Sequence, residues 1–328
     1  MSKLAKKYVN EELSHLRSMD SHNPNLANLS RNLNLLVLQG KIAPVFHREK
    51  EIETIQKLLL RRTKPNVLLT GPAGCGKTAI AEALAAYLVN QRMTWLAEQA
   101  RADQAYERAL DKWKDSDPTG KVSDQPVRVE VPKPPLCDAV VYDLSMNAMV
   151  SGTKYRGEFE EKLQKVIVEC QQDTNIIVFI DEIHQMCTLG KTDANEGMGQ
   201  ILKPALARAE IRVIGATTTE ESSTLKKDKA LARRFSEIEI NPLVGEKAIQ
   251  TAEGILRDYE KFHSVSVEGI TADQILEVVN YHIGGVFPNN FIDVVDETMS
   301  GAKFEGKTII SDKEIKATLS RMTKTIII

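Results

Sequence analysis

The chain has 328 residues, room for about two domains. Hydrophobic residues make up 42% and charged residues 27%, which excludes a disordered or a fibrous chain. Lys and Arg number 43 against 45 Asp and Glu, a formal charge of −2, so there is no global electrostatic footprint for nucleic acid or anionic lipid.

The first 40 residues are polar and Asn-rich and end in a short apolar run, LNLLVLQG; they read as an arm or leading helix. From Glu49 the pattern becomes regular. Ile52, Ile55, Leu58 and Leu59 recur at helical spacing. NVLLT (66–70) reads as a short buried strand and GKTAIAEALAAYLV (76–89), rich in Ala and Leu, as a helix. Residues 91–135 interrupt the rhythm: a charged helix with Tyr106, Leu110 and Trp113 on one stripe, a turn-rich loop, then VRVEVPKPP, a possible edge strand ended by prolines. The segment is either a surface insertion packed on the body or a docking element for a neighbour. A strand at 139–144 and an amphipathic helix at 158–170 follow.

NIIVFID (175–181) is a continuous apolar run, as expected of a central parallel strand buried on both faces. A helix at 198–209 and strands at 211–217 and 237–240 complete the alternation. The pattern predicts an α/β fold, a three-layer parallel sheet. After Asn241-Pro242 the strands stop. Helices near 245–262, 271–282, 288–302 and 311–321 predict a smaller all-helical unit, with a boundary near 242.

No stretch approaches the roughly 20 uninterrupted apolar residues of a membrane span, and the start lacks the apolar core of a secretory signal. The cysteines at 75, 137, 170 and 187 form no C-x-x-C pair and read as reduced thiols of a cytoplasmic protein. His22, His184 and His263 are scattered without H-E-x-x-H, so no metal site made of side chains alone is expected.

Gly71-Pro72-Ala73-Gly74-Cys75-Gly76-Lys77-Thr78 matches G-x-x-x-x-G-K-[ST] and lies after a strand and before a helix. Glycines let backbone N–H groups curl toward phosphate oxygens, and the following helix adds its N-terminal dipole. Lys77 is placed to reach β/γ-phosphates, and the Thr78 hydroxyl to ligate Mg²⁺. Asp181, at the carboxyl end of the apolar run, can hold the same ion, and Glu182 can take a proton from an attacking water. The expected ligands are therefore ATP and Mg²⁺.

At these residues the chain resembles the AAA+ superfamily of P-loop NTPases, specifically the first ATPase module of the Clp-type unfoldases and disaggregases. The matching stretches include KIAPVFHREKEIETIQKLLLRRTKPNVLLTGPAGCGKTAIAEALA, SGTKYRGEFEEKL, NIIVFIDEIH, LKPALARAEIRVIGATT, DKALARRF and FPNNFIDVVDE. They fall within 40–90 and 136–303, and SDKEIKATLSRMTK (311–324) resembles the linker that precedes the second module in that family. The resemblance implies an N-terminal arm (1–40), a large α/β ATPase domain (41–241), a helical lid (242–328) and a single-module chain. It also implies a homo-oligomeric, hexameric ring with ATP between subunits. Thr218 matches sensor 1, and Arg233 and Arg234 match paired arginine fingers acting on a neighbour's γ-phosphate. Lys154, Tyr155 and Arg156 match pore loop 1, whose aromatic ring can grip any polypeptide. Protein substrates are thus implied, with no membrane.

Two positions depart from the family pattern. His47 stands where the family has Gly near the adenine, and is expected to stack on the base or to signal a changed pocket. Asn290 stands in place of a lid lysine near the usual sensor 2 position. No I-G-[FL] loop is present, so a peptidase partner is not implied. The resulting expectation is an ATP-hydrolysing protein unfoldase or remodelling chaperone. An ATP-dependent assembly scaffold, or a nucleic-acid or complex-remodelling motor on the same fold, is the alternative. No basic stripe with interleaved aromatics supports nucleic acid.

Overall fold

The structure is a computed structural model that describes residues 3–116, 125–151, 156–187 and 199–327. In chain order the elements begin with α1 (Lys3–His22), α2 (Pro24–Leu29), β1 (Ser30–Asn32), α3 (Leu33–Leu38), α4 (Glu49–Leu59), β2 (Asn66–Thr70), α5 (Lys77–Ser116) and β3 (Val140–Leu144). There follow α6 (Met146–Val150), α7 (Arg156–Gln172), β4 (Ile176–Ile180), a 3-10 turn (Ile183–Cys187), α8 (Gly199–Ala207), β5 (Arg212–Thr217), α9 (Thr219–Lys227), α10 (Lys229–Ala232) and β6 (Phe235–Glu239). The last part holds α11 (Glu246–His263), β7 (Ser266–Val267), α12 (Ala272–His282), α13 (Asn289–Phe304), β8 (Ile309–Ile310) and α14 (Asp312–Thr323).

Six strands form one sheet in the order β1-β3-β4-β5-β2-β6. All pairings are parallel except β1 with β3. β2 and β4 are buried along their whole length, which matches the continuous apolar runs VLL and IIVFI. Alternation sorts the side chains into two cores. Leu68, Val178 and Ile180 join the cluster on one face, and Val67, Leu69, Ile177 and Phe179 the cluster on the other. β5 lies between β2 and β4, so the carboxyl ends of three neighbouring strands open onto one crevice, where open α/β sheets bind ligands.

The N-terminal 38 residues are not a free arm. Leu16, Met19 and Leu26 belong to the core beneath the sheet, and β1 pairs antiparallel with β3. The asparagines that read as polar arm residues instead replace missing backbone partners. Asn34 donates to Ala139 O at 3.1 Å and accepts from Val141 N at 3.0 Å, and Asn32 caps α3 through Leu35 N at 3.0 Å. The buried carboxylate of Glu169 on α7 accepts from Asn25 N at 3.0 Å and Leu26 N at 2.8 Å, capping α2.

Residues 77–116 form one continuous helix of 40 residues, where two were expected. No breaker separates the two runs. VRVEVPKPP pairs with no strand; it runs back along α5. Trp95 Nε1 donates to Val131 O at 3.2 Å, Arg128 Nε to Asp103 at 2.8 Å, and the Lys133 ammonium lies 5.1 Å from the Trp95 ring centre. Tyr106, Leu110 and Trp113 are half-buried. Arg92 ties the helix to Glu12 of α1 and to Asp138. Burial pushes the Glu12 carboxyl above its usual range against the pull of Arg92.

The residues after 242 carry a core of their own, including Ala252, Ile275, Val279, Phe291, Val294 and Leu319. Strands do not stop entirely there, because β7 and β8 form a small parallel pair of two residues each, too short for periodicity to reveal. Cys75, Cys137 and Cys170 are buried free thiols; burial, with Glu169 and Asp173 nearby, pushes Cys170 up to about 12. The side chain of Cys187 lies outside the described residues. Among the described residues no helix is long and apolar enough to cross a membrane.

Candidate nucleotide site

Gly71–Thr78 joins β2 to α5. Gly74 and Gly76 have φ of +80° and +93°, which side chains rarely adopt, and a Cβ on Gly71 would stand 2.3 Å from Ile240 O. The loop thus needs glycine at each of these positions for reasons of backbone alone. Lys77 is buried, its ammonium donating to Gly71 O at 2.9 Å and Pro72 O at 2.8 Å. It is folded onto the loop whose amides would meet phosphate. Cys75 is fully buried.

Across the crevice, Thr78 Oγ1 donates to Asp181 Oδ2 at 2.6 Å, and Glu182 N donates to Asp181 Oδ1 at 2.9 Å. A hydroxyl beside a carboxylate is a hard-oxygen pair that fits Mg²⁺, which takes one or two carboxylates and completes its shell with water and phosphate. Among the described residues no group of three or more His, Cys, Asp or Glu could hold a metal by itself. Glu182 is exposed, with φ +48°, and accepts from Gln185 Nε2.

Thr218 caps α9: its hydroxyl accepts from Glu221 N at 3.2 Å and donates to Glu221 Oε2 at 2.8 Å. The buried hydroxyl at the end of β5 is that of Thr217, 3.0 Å from His184 Nδ1, which is also 3.3 Å from Glu221 Oε2. His184 and Glu221 therefore tie both threonines together, a link that sequence reasoning missed because the two lie on separate elements.

Arg233 and Arg234 immediately precede β6; the first is exposed and the second half-buried, and neither has a side-chain ion pair among the described residues. Phe235 registers with Asn66 and Glu239 with Thr70, so the arginines stand at the opposite end of the sheet from their own phosphate loop. A strand of this length separates them by about 15 Å.

Beside the phosphate loop lies a cavity of ≈ 240 Å³. Cys75, Gly76 and Ala79 line it together with Val45 and Phe46 and with Leu243, Ile255 and Ile292. Such apolar walls suit the faces of a purine. Glu82 also lines it, and burial pushes its carboxyl above the usual range, with Arg31 opposing. Arg48, missed by sequence reasoning, is buried and fastens three segments. Its guanidinium donates to Cys75 O at 3.0 Å, Asn241 O at 3.1 Å and Glu51 at 2.9 Å.

His47 does not line the cavity. Its φ is +57°, so the position needs a left-handed backbone. Asn290 is buried in the lid, facing Asn280 at 3.3 Å and its own neighbour Phe291 N at 2.9 Å, rather than the phosphate loop. Asn289 takes that place: a Cβ on Gly74 would stand 2.9 Å from the Asn289 Cβ. Lys154 and Tyr155 lie outside the described residues, as does the side chain of Arg156, whose backbone opens α7.

Over nearly its whole length the chain resembles ATP-dependent Clp protease ATP-binding subunit ClpC of Staphylococcus aureus, at 33% identity over 98% of this chain and 35% of the relative. Chaperone protein ClpB of Oceanobacillus iheyensis is 35% identical over 92% of this chain and 33% of its own. The chain thus spans about a third of the length of these curated relatives. Among solved structures, an S. cerevisiae Hsp104–ADP complex superposes with a TM-score of 0.70 at 29% identity, covering 92% of this chain and 46% of that one. A closed-state Hsp104 with ATPγS and FITC casein gives 0.68 at 28%, covering 92% and 45%. Residues 67–243 match the family described as "ATPase family associated with various cellular activities (AAA)". The match takes in the phosphate loop, Asp181 and the strand-end threonines and extends over more than half of the chain, which therefore belongs to the AAA family of ATPases.

Proposed function

We propose that this chain is the ATP-hydrolysing subunit of a homo-hexameric ring in the cytoplasm that unfolds or remodels proteins by drawing polypeptide through a central pore. In this reading residues 41–241 are the ATPase domain, extended by the N-terminal helices, and residues 242–328 are the lid. The observation that carries it is the division of the site. The phosphate loop, Thr78, Asp181 and Glu182 converge at one end of the sheet, while Arg233 and Arg234 stand at the other end. Only a second copy can bring those guanidinium groups to the phosphate.

The backbone N–H groups of Gly74–Thr78 hold the β/γ-phosphates, and Lys77 exchanges its carbonyl partners for phosphate oxygens. Thr78 and Asp181 would hold Mg²⁺, which when bound would supply charge neutralisation. Glu182 takes a proton from the water that attacks the γ-phosphorus as the bond to the bridging oxygen breaks, leaving ADP and phosphate. Arg233 and Arg234 of the adjacent copy offset the charge that spreads over the transferring group. Thr218 orients the water with its hydroxyl, which it exchanges from the Glu221 carboxylate. Tyr155, flanked by Lys154 and Arg156, grips substrate. No peptidase partner is part of the proposal.

ATP turnover per chain, measured against protein concentration, tests it. The rate rises as the ring assembles. Glu182→Gln and the Arg233→Ala/Arg234→Ala double variant are each inactive alone, and mixing them restores turnover, because one supplies fingers and the other the base. Tyr155→Ala keeps turnover and loses unfolding of a tagged substrate. A rate per chain that stays flat with concentration, or no restoration on mixing, overturns the shared site.

A further inference from the structure

VRVEV (127–131) alternates like a strand but belongs to neither sheet. Two contacts hold it against α5: Arg128 to Asp103, and Trp95 Nε1 to Val131 O. Asp103 and Trp95 are eight residues apart on the helix, about 12 Å along its axis. The three steps from 128 to 131 reach about 11 Å when extended, whereas a helical turn would cover less than half of that distance. Among the described residues, 127–131 make no backbone-to-backbone hydrogen bond. Val127 and Val129 are 85% and 69% exposed. Glu130 is exposed and has no ion pair among the described residues.

A β-branched run with unused amides and carbonyls is a template for another strand. Val131 O is turned to α5, so in extended backbone the amides and carbonyls of Arg128 and Glu130 face away from the helix. Pro126 and Pro132 fall on the same outward phase and lack an N–H there, so a ladder formed on this edge ends at both prolines. The order of the side chains then selects the occupant. Laid antiparallel on a second copy, with Val129 opposite Val129, the segment puts Val127 opposite Val131 on one face. On the other face Arg128 stands opposite Glu130, twice over. Paired parallel in register, or antiparallel about Arg128 or Glu130, the same segments bring like charges together.

We propose that 127–131 is a self-docking strand: two copies of this chain pair antiparallel about Val129, each segment braced by its own α5. Arg128 and Glu130 exchange both backbone bonds across the pair, and Val129 meets its counterpart at a non-hydrogen-bonded position, where side chains stand closest. Glu130 gains the guanidinium that it lacks within its own chain. The contact is two-fold, unlike the head-to-tail contacts that close a ring, so in the proposed hexamer it joins one ring to another. That consequence rests on the ring reading; the pairing itself does not.

Sedimentation and cysteine cross-linking of the full chain without nucleotide test the pairing apart from ATP turnover. Under mild oxidation Val129→Cys forms a linked pair above the background of the parent. Val127→Cys links when mixed with Val131→Cys and not by itself. Arg128→Glu and Glu130→Arg each weaken self-association about tenfold while melting with the parent. An equimolar mixture of the two restores it, because each altered charge then meets its opposite. A chain that sediments only as single subunits or single rings overturns the proposal. So does Val127→Cys linking to itself as readily as Val129→Cys, or a mixture of the two charge variants that associates no better than either alone. A foreign protein seated at 127–131 in place of a second copy overturns it as well.

Discussion

The part of the site proposed to face phosphate comes from one unbroken stretch, Gly71–Thr78, whereas the cavity proposed to take the base gathers Val45 and Phe46, Leu243, Ile255 and Ile292 from well-separated segments. The difference follows from what each half must hold. A phosphate is held by converging N–H groups, and convergence requires unusual dihedrals at consecutive residues, which only a local sequence can impose. A flat apolar ring needs only apolar area on two sides, and any buried side chain supplies it. The first half is therefore fixed by covalent neighbours. The second exists only when the lid is packed against the sheet domain, so in the proposed reading affinity for a base is coupled to the position of the lid.

The largest effect expected from this division belongs to the phosphate half. Glu182→Gln removes the proposed proton acceptor and keeps size and hydrogen bonding. Turnover should fall at least about 100-fold, while binding of a fluorescent ATP derivative stays within about twofold. A parallel loss of binding would show that Glu182 shapes the loop, and would break the separation between chemistry and holding.

Arg48 joins the two halves, and its removal comes next. Arg48→Ala leaves Cys75 O and Asn241 O without their buried donor and is expected to cost about 2–4 kcal/mol. A thermal melt should show the loss, and Arg48→Lys should not restore it, because one ammonium cannot span the partners of a planar fork. Gly71→Ala follows. Its Cβ would stand 2.3 Å from a backbone oxygen of Ile240, which has no rotamer to escape by. A stability loss of about 1–3 kcal/mol is expected together with weaker ATP binding, measured by melting and titration on the same sample.

The same contrast governs what the sequence makes legible. The phosphate loop announces itself because each glycine is demanded by a dihedral or a close approach: Gly74 and Gly76 by positive φ, Gly71 by Ile240 O. Asp181 is legible because it ends a run buried on both faces. Phe46, Leu243, Ile255 and Ile292 carry no such mark, since an apolar residue at a cavity wall looks the same as one in a core. Arg48 could have been found only as an arginine beside a position needing positive φ, a fact that His47 conceals. The asparagines of the first 38 residues read as solvent-facing because composition cannot show that Asn34 bridges two backbone groups of the chain ahead of and within β3. Asn290 stands at the position of the family's lid lysine, but one residue along a helix turns a side chain by about 100°, and it is Asn289 that meets Gly74.

Gly254→Ala is the smallest change expected and the one that isolates the base half. A Cβ there would meet the Phe46 ring at 2.5 Å, a contact with a side chain rather than backbone. The ring can rotate, but the space it can move into is the cavity it lines. Alanine also raises the helix propensity of α11 by up to about 1 kcal/mol, which offsets strain in the lid. Melting without nucleotide should therefore change by less than about 2 °C. ATP affinity should fall about threefold to tenfold, while affinity for inorganic triphosphate, which occupies only the phosphate loop, stays the same. Equal losses for both ligands would mean that the displaced ring reaches Gly74–Thr78 and that the two walls are one mechanical unit. A loss confined to ATP would mean that the lid tunes base binding without disturbing the phosphate loop.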